Sequence, residues 1–275
     1  MIINPGEQVS NKLIRLKEIL KDLKKIAVAY SGGVDSAFLL KIAYDIPGID
    51  TIGIYVDSPL QPEREKREAI ETAKHIHADI VVININPLEN PSFRKNPVNR
   101  CYFCKGLIFD KILKTAVLNG FSNIVDGSNH DDAKDYRPGK KALAERKIRS
   151  PLQEAGLTKE DIRILSKKEG LPTWNKDAYA CLATRIPYGT EISTQYLKQV
   201  DKTEEILLLK GYRYVRARHF GDEVRIEVQS DQVQKLQEEM KNPDIYKSIL
   251  DSGFSKIFIE PQGYRQGNLN KPPKM

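Results

Sequence analysis

The stretch that decides the fold reads IAVAYSGGVDS over residues 26–36. Its first part, Ile26 to Tyr30, is a short apolar run that is typical of a buried strand, and Ser31 to Ser36 carries two consecutive glycines. The apolar residues at positions 37–40 predict that a helix follows. A glycine turn between a strand and a helix presents backbone N–H groups and the positive end of the helix dipole to an anion. The stretch therefore predicts a phosphate-binding turn.

The sequence on either side of this turn predicts an α/β fold with a parallel sheet. Apolar residues recur at spacings of three and four between Val9 and Leu23, which indicates an amphipathic helix. Strands that alternate with helices form parallel sheets covered on both faces. Further strands are expected at Thr51 to Val56, Ile80 to Ile85 and Asn123 to Val125, and helices at Glu63 to His75 and Cys101 to Leu118.

The last part of the chain has a different character and predicts a second, smaller α+β domain. A capped helix is expected from Thr158 to about Glu169, followed by a loop from Pro172 to Pro187. We place the domain boundary near Pro187, which gives domains at residues 1–187 and 188–275. The second domain is expected to hold a helix at Tyr196 to Leu209, a hairpin at Tyr214 to Val228, a helix from about Asp231, a strand at Lys256 to Ile259 and a mobile tail from Asn268.

Length, composition and charge restrict the class of protein. A chain of 275 residues suits two domains of about 100 to 200 residues. Hydrophobic residues are 40% and charged residues 29%, which excludes a disordered or fibrous protein. The net charge of +7 favours anionic ligands, phosphates first, without requiring nucleic acid. Because no apolar run approaches the roughly 20 residues that cross a bilayer, we expect a cytoplasmic protein with no membrane partner.

The glycine turn matches neither the Walker A pattern nor G-x-G-x-x-G. It resembles the SGGxDS loop of the PP-loop ATP pyrophosphatases, which have an adenine nucleotide α-hydrolase-like fold. That resemblance implies that ATP is cleaved to AMP and pyrophosphate while a carbonyl-type oxygen is adenylated. It assigns Ser31, Gly32, Gly33, Asp35 and Ser36 to ATP, with Asp35 also catalytic. A tight glycine turn without a ligand is the alternative.

Two other strand ends are expected at the same edge of the sheet, where α/β proteins bind ligands. The segment Asp126 to Asp132 follows one strand; Gly127 is a candidate ATP contact and Asp131 a candidate Mg²⁺ ligand. The alternative for this segment is a polar loop with an Asx turn. Ser58, which follows a second strand, is a candidate contact for adenine or ribose.

Three cysteines occur, and two of them, Cys101 and Cys104, are spaced C-x-x-C. An odd count in a long chain is unlike a disulfide framework and favours metal binding or catalysis. Two alternatives remain: the pair are small core residues on one helix face, or they bind zinc, although no histidine or fourth cysteine lies at ligand spacing. His75 and His77 are expected at a helix end, unrelated to metal.

Two segments resemble the LarE family, namely NRCYFCK at residues 99–105 and AYACLATRIPYG at residues 178–189, and the resemblance covers nearly the whole chain. LarE proteins are ATP-dependent sulfur transferases in biosynthesis of the nickel-pincer nucleotide cofactor of lactate racemase. The resemblance implies that a carboxylate of pyridinium-3,5-biscarboxylic acid mononucleotide is adenylated and its oxygen is replaced by sulfur. It further implies a homo-oligomer, a hexamer.

The family has two sulfur sources. In one form, only the cysteine that matches Cys181 is present, and it gives up its own sulfur and becomes dehydroalanine. In the other form, three thiolates hold a [4Fe-4S] cluster with one iron open for sulfide. The presence of Cys101 and Cys104 fits the cluster-bearing form, with Cys181 also catalytic. The source of the sulfide is not identified by the sequence.

Further site residues come from the same resemblance. Lys105 follows the C-x-x-C pair and is expected to steady the acyl-adenylate, and Arg185 beside Cys181 is a lesser ligand-binding candidate. Arg216 and Arg218 alternate along one strand, so their guanidinium groups share a face that suits a phosphate. The family's corresponding pair is assigned to the substrate phosphate, with Glu227 on the partner strand a weaker candidate. A solvated strand face is the alternative.

Three other functions are compatible with parts of this pattern. A tRNA-thiolating enzyme of the PP-loop and [4Fe-4S] type is the strongest, but the basic residues are dispersed among acids, so nucleic acid is not the expected partner. An ammonia-using amide ligase needs no cysteines. A nucleotide sensor would release no pyrophosphate.

Overall fold

A computed structural model describes residues 5–134, 138–177 and 179–265 of the chain. The tail predicted from Asn268 onward lies outside these residues. In the part that is described, helices run over α1 Pro5–Leu23, α2 Val34–Asp45, α3 Glu63–Ile76, α4 Pro91–Arg94, α5 Arg100–Leu118, α6 Pro138–Glu145, α7 Pro151–Glu154, α8 Lys159–Lys168, α9 Thr194–Leu209, α10 Val233–Glu239 and α11 Pro243–Leu250. The strands are β1 Lys25–Tyr30, β2 Asp50–Asp57, β3 Ile80–Asn84, β4 Asn123–Val125, β5 Arg216–Phe220, β6 Glu223–Glu227 and β7 Lys256–Ile259.

The chain groups into two compact units. One unit comprises residues 1–86 and 101–179, and the other comprises residues 87–100 and 180–275. The C-terminal part of the second unit therefore begins at Ala180, ahead of Pro187. The same unit also includes residues 87–100 from the middle of the sequence. The boundary near Pro187 stays a prediction about how the chain folds.

The first unit is built on a parallel sheet with strand order β3-β2-β1-β4. Successive residues of β1 point to opposite faces of the sheet. Val28 packs into one core with Phe38 of α2, while Ala27 packs into a second core with Ile54 and with Phe109 of α5. Both faces of the sheet are thus covered, and the predicted α/β class with a parallel sheet is confirmed.

Helix α8 begins where the sequence predicts. Thr158 accepts a hydrogen bond from the backbone N–H of Asp161, and the Asp161 carboxylate accepts one from the backbone of Thr158, which completes a capping box. The helix ends just before Gly170, which has a positive φ of 70°. This start places Lys159 in the first turn of the helix, from which its side chain reaches Asp35.

The second unit contains a mixed three-stranded sheet with order β5-β6-β7. Strands β5 and β6 form the predicted hairpin around Gly221, and β7 pairs with β6 in parallel. The apolar residues that alternate along the hairpin are all buried; they are Val215, Ala217, Val224, Ile226 and Val228. Helix α9 packs against β5. None of the helices among the described residues is long and apolar enough to cross a membrane.

Candidate active site

The glycine turn after β1 is held by its two serines. The backbone N–H of Ser31 donates to the Ser36 hydroxyl at 3.1 Å, and the two hydroxyl oxygens lie 3.0 Å apart. Gly33 is the N-cap of α2, and no side chain of the described residues caps this helix. The N–H groups of the first helical turn have no partner within the helix itself, so the start of α2 is suited to bind an anion.

Two glycines allow the close packing around this turn. A Cβ on Gly32 would lie 2.4 Å from the Cβ of Ala69 in α3, and Gly32 has a positive φ of 75°. A Cβ on Gly127 would lie 2.9 Å from the backbone nitrogen of Ser36. The segment that follows β4 therefore lies directly against the start of α2, and the structure brings the two predicted edge segments together.

Replacing Gly127 by Ala should lower the free energy of unfolding by about 1 to 3 kcal/mol, because the added Cβ forces the backbone at Ser36 to move. Gly33→Ala is the matched control, since its Cβ would meet nothing closer than the Ser31 hydroxyl at 3.5 Å. Denaturant unfolding of the two variants measures the difference. Equal unfolding free energies would contradict the close approach at Gly127.

Asp35 is a half-buried carboxylate at this edge of the sheet. Its Oδ2 accepts from the Lys159 ammonium at 2.8 Å and from the Asn129 amide at 3.5 Å. Burial raises the pKa of Asp35, Lys159 opposes that rise, and the nearby charge of Asp132 adds to it. Its Oδ1 is buried and has no hydrogen-bond partner among the residues that the structure describes. A buried carboxylate oxygen that accepts no hydrogen bond from the described residues suits a hard cation such as Mg²⁺.

Lys159 was not predicted as a site residue. It lies 124 positions from Asp35 in the sequence and reaches it from the first turn of α8. The capping box fixes where α8 starts, but nothing in the sequence indicates which strand end the helix faces. The ion pair is therefore a finding of the tertiary structure.

The segment after β4 forms the Asx turn that the sequence left as an alternative. The Asn129 side-chain oxygen accepts from the backbone N–H groups of Asp131 and Asp132 at 2.9 and 3.2 Å. The Asp131 carboxylate accepts from the backbone of Lys159 at 2.8 Å. In the described ranges, no group of three or more His, Cys, Asp and Glu side chains is arranged to hold a metal ion, so the Mg²⁺ role of Asp131 stays a prediction.

Ser58 shapes the turn that follows β2. It is buried, and its hydroxyl accepts from the backbone N–H of Leu60 at 3.3 Å. The neighbouring Asp57 pairs with Lys66 of α3. The role of Ser58 as an adenine or ribose contact stays a prediction.

The C-x-x-C pair lies at the start of α5 in the first unit. Cys101 is exposed and Cys104 is half-buried, and at a spacing of three they share one helix face. Their exposure disfavours the alternative that both are small core residues. Lys105 follows in the same helical turn and is half-buried.

Cys181 belongs to the second unit and begins a turn of 3₁₀ helix over Leu182–Arg185. Its carbonyl accepts from the Thr184 backbone at 2.9 Å and from the Thr184 hydroxyl at 2.8 Å. None of the three cysteines forms a disulfide. The cluster that the three cysteines are expected to share stays a prediction.

Arg185 stabilises the Cys181 turn through hydrogen bonds to its backbone. Its guanidinium is fully buried and donates to the Ala180 carbonyl at 2.7 Å. It also donates to both Glu204 oxygens, at 2.7 and 2.9 Å. In this structure Arg185 positions the turn, and its binding of a ligand stays a prediction.

The sequence contains a signal for the buried Glu204. Glu204 lies on the apolar stripe of α9 formed by Leu197, Val200 and Leu207, all of which are buried. A carboxylate at a buried position of an amphipathic helix requires a partner. Such a residue predicts a buried cation elsewhere in the chain.

Arg216 and Arg218 share one face of β5, as predicted, and both are buried at 7% and 6% exposure. The alternative of a solvated strand face is therefore wrong. Arg218 donates to the Glu227 carboxylate at 2.9 Å and to the Thr184 carbonyl at 2.8 Å, which links the hairpin to the Cys181 turn. Arg216 donates to the Val215 carbonyl at 2.8 Å.

The parallel sheet and the glycine turn at the start of α2 define a class, the PP-loop nucleotide-binding proteins. The chain is 27% identical to the argininosuccinate synthase of Natronomonas pharaonis over 165 residues, which are 56% of this chain and 41% of that protein. This partial similarity supports the nucleotide-binding class, but it does not extend over the whole of that enzyme.

Similarity over the full chain identifies the family. The chain is 32% identical over 263 residues to the pyridinium-3,5-bisthiocarboxylic acid mononucleotide synthase of Lactiplantibacillus plantarum, covering 95% of each chain. It is 36% identical over 263 residues to an uncharacterised protein of Synechocystis sp., covering 96% of this chain and 98% of that one. The chain belongs to the family of pyridinium-3,5-bisthiocarboxylic acid mononucleotide synthases, the LarE family, which confirms the predicted resemblance. No protein-family model matches it.

Proposed function

We propose that the chain is an ATP-dependent sulfur transferase that adenylates a carboxylate of pyridinium-3,5-biscarboxylic acid mononucleotide and converts it to a thiocarboxylate. One observation carries the proposal, the match over 95% of the chain to a synthase named for the bisthiocarboxylic product. The glycine turn and the three thiols support it, because this reaction needs a site for ATP phosphates and a site for sulfur.

In the first step, a carboxylate oxygen attacks the α-phosphorus of ATP, and the acyl-adenylate and pyrophosphate form. N–H groups at the start of α2 bind the phosphate oxygens. Lys159, 2.8 Å from Asp35, offsets negative charge on the departing pyrophosphate. Mg²⁺ would bind the Asp35 carboxylate, whose Oδ1 fits a hard cation, and would neutralise further phosphate charge.

In the second step, a sulfide sulfur attacks the acyl carbon, one C–S bond forms, and the C–O bond to AMP breaks. We propose that Cys101, Cys104 and Cys181 hold a [4Fe-4S] cluster, which when bound supplies an open iron for the incoming sulfide. The hydrogen bonds of Thr184 and Arg185 fix the carbonyl of Cys181, so the thiol is attached to a rigid turn. Lys105 next to Cys104 steadies the acyl-adenylate.

The substrate phosphate is proposed to bind at Arg216 and Arg218. Both guanidinium groups lie on one strand face and are largely removed from water, which strengthens their attraction to a dianion. Glu227 holds Arg218 in place at 2.9 Å. This site recognises the mononucleotide independently of its reacting carboxylate.

Incubation with ATP and the pyridinium dicarboxylate mononucleotide should yield AMP and pyrophosphate in equal amounts. Coupled pyrophosphate detection and nucleotide chromatography measure the two products. Omitting the mononucleotide is the control, because pyrophosphate release should then fall to background. Release of ADP and phosphate, or release without the mononucleotide, would contradict the proposal.

Binding of tRNA tests the alternative of a tRNA-thiolating enzyme. The proposed enzyme should bind tRNA only weakly and without a preference over other polyanions. A tight, salt-dependent tRNA affinity together with tRNA-stimulated pyrophosphate release would favour that alternative.

A further inference from the structure

Two tyrosine rings and an arginine form a cluster at the start of β5. The rings of Tyr214 and Tyr264 are nearly parallel, with centroids 6.1 Å apart and an interplanar angle of 8°. The guanidinium carbon of Arg216 lies 5.1 Å from the centroid of the Tyr264 ring. Tyr264 is therefore the common member, in contact with a second ring and with a cation proposed to bind the substrate phosphate.

The backbone that carries Tyr264 is held in a single place. A Cβ on the preceding Gly263 would lie 2.7 Å from the Val228 carbonyl and 2.8 Å from the Cα of Ser230, so this position requires glycine. The backbone N–H of Tyr264 donates to the same Val228 carbonyl at 2.7 Å. Tyr264 is thus fixed to the end of the hairpin that carries Arg216.

The second ring is kept at a conformational cost. Tyr214 has a φ of 52°, which residues other than glycine rarely adopt, although its side chain is 43% exposed. Strain of this kind persists only where the surroundings fix it, and it concentrates at functional sites. Its stacking with Tyr264 is a contact that this conformation provides.

The contact with Tyr264 restrains Arg216. A guanidinium that lies over an aromatic ring is attracted to the face of the ring, and this attraction limits the positions that the side chain can adopt. One edge of Arg216 donates to the Val215 carbonyl at 2.8 Å, and the side chain is 7% exposed. An arginine held in this way loses little freedom when it binds a phosphate.

We propose that Tyr264 is a positioning residue that orients Arg216 for the phosphate of the mononucleotide. The inference rests on the proposed function, in which Arg216 binds that phosphate. Tyr264 acts through Arg216 and touches no reacting atom. Its loss should therefore affect binding of the mononucleotide and leave ATP binding unchanged.

The test compares Tyr264→Leu with Tyr264→Phe, which keeps the ring. Tyr264→Leu should raise KM for the mononucleotide about tenfold, with KM for ATP and kcat little changed, because a cation–π contact in a desolvated site is removed. Tyr264→Phe should behave like the unmodified enzyme. Tyr246→Leu, at an exposed tyrosine of α11, is the control for loss of a surface ring. If Tyr264→Leu does not fold, Tyr214→Leu should still raise the same KM, since Tyr214 is exposed and its ring supports Tyr264.

A substrate analogue that lacks the phosphate separates positioning from a structural role. With this nucleoside, Tyr264→Leu and the unmodified enzyme should have equal KM values. A merely structural defect would instead raise the KM of Tyr264→Leu for the nucleoside as well as for the mononucleotide. If Arg216→Ala raises KM for the mononucleotide but neither Tyr264→Leu nor Tyr214→Leu does, the positioning role is wrong while the phosphate site stands. If Arg216→Ala has no effect on KM, the phosphate site itself is wrong. If neither the unmodified protein nor any variant forms pyrophosphate, the proposed function itself is wrong.

Discussion

Asp35→Asn should slow pyrophosphate release by about two to three orders of magnitude, the loss typical of one electrostatic contact to a transition state. The substitution keeps the size of the side chain and removes the charge that pairs with Lys159 at 2.8 Å. It also removes the buried carboxylate oxygen that suits Mg²⁺. Single-turnover release of pyrophosphate, measured at saturating ATP and Mg²⁺, reports this step directly.

Two other aspartates are compared with Asp35, one as a control and one as a second candidate ligand. Asp45→Asn lies on the same helix α2, at its far end, where the carboxylate pairs with Lys41, and it should leave the rate unchanged. Asp131→Asn tests the Mg²⁺ ligand that the sequence predicts, since this carboxylate accepts from the backbone of Lys159. If Asp131→Asn is as slow as Asp35→Asn, both carboxylates serve the metal. A rate for Asp35→Asn close to that of the unmodified enzyme would remove Asp35 from the site.

The loss of activity should not come from unfolding. Burial raises the pKa of Asp35 in the folded state above its unfolded value. The folded protein then binds this proton more readily than the unfolded chain does, so the ionised form of Asp35 costs stability as pH rises through that range. Asp35→Asn should therefore have an unfolding free energy at neutral pH that is equal to or higher than that of the unmodified protein, a common trade between stability and activity.

Local periodicity predicted the elements that form the sheet and the hairpin. Strands β4 and β7 have the predicted bounds, and α5 begins one residue before its predicted start at Cys101. These elements carry their signal within their own sequence, as apolar runs between turn residues or as alternation along a strand. Short helices such as α7 and α11 were missed because their few turns give no periodic pattern of sufficient length.

The contacts that set the site geometry are mostly between distant residues. Lys159 and Asp35 are 124 positions apart, and Arg185 and Glu204 form a pair in which both side chains are fully buried. Charged residues usually lie at the surface of a protein, but oppositely charged residues that pair with each other can be buried. Uncharged polar side chains can also be enclosed, since Asn96 is completely buried and donates to the Pro187 carbonyl at 2.8 Å across 91 positions. Spacing marks Glu204 as a buried carboxylate, but composition and spacing do not identify which distant residue is its partner.

The largest effects are expected at the three cysteines. Protein reconstituted with iron and sulfide under anaerobic conditions should hold about four irons per chain, because three thiolates and one open iron account for a [4Fe-4S] cluster. Cys101→Ala and Cys104→Ala should lose most of this iron. Tyr102→Phe, between the two cysteines at the start of α5, is the matched control and should keep it. Iron analysis and visible absorbance measure the loading, and full loading of either alanine variant would contradict the cluster.

Cys181→Ala should separate the two halves of the reaction. Adenylation requires the glycine turn and Asp35 in the first unit, so pyrophosphate release should continue at close to its normal rate. Sulfur insertion should be lost, since the thiol on the turn held by Thr184 and Arg185 is absent. Loss of both activities would indicate that Cys181 supports the fold and not only the sulfur step.

The mass of the protein after turnover decides between the two sulfur sources. If sulfide is the donor, cluster-loaded protein should complete several turnovers with sulfide present and keep its mass, because no atom of Cys181 enters the product. If Cys181 is the donor, each chain should turn over once and become lighter by the mass of H₂S, with dehydroalanine at position 181. Cys101→Ala and Cys104→Ala extend the comparison, because a single turnover in these variants would mean that Cys181 can still give up its sulfur when no cluster protects it. Dehydroalanine at position 181 in fully loaded protein would overturn the catalytic cluster, and an intact Cys181 after many turnovers would establish sulfide as the donor.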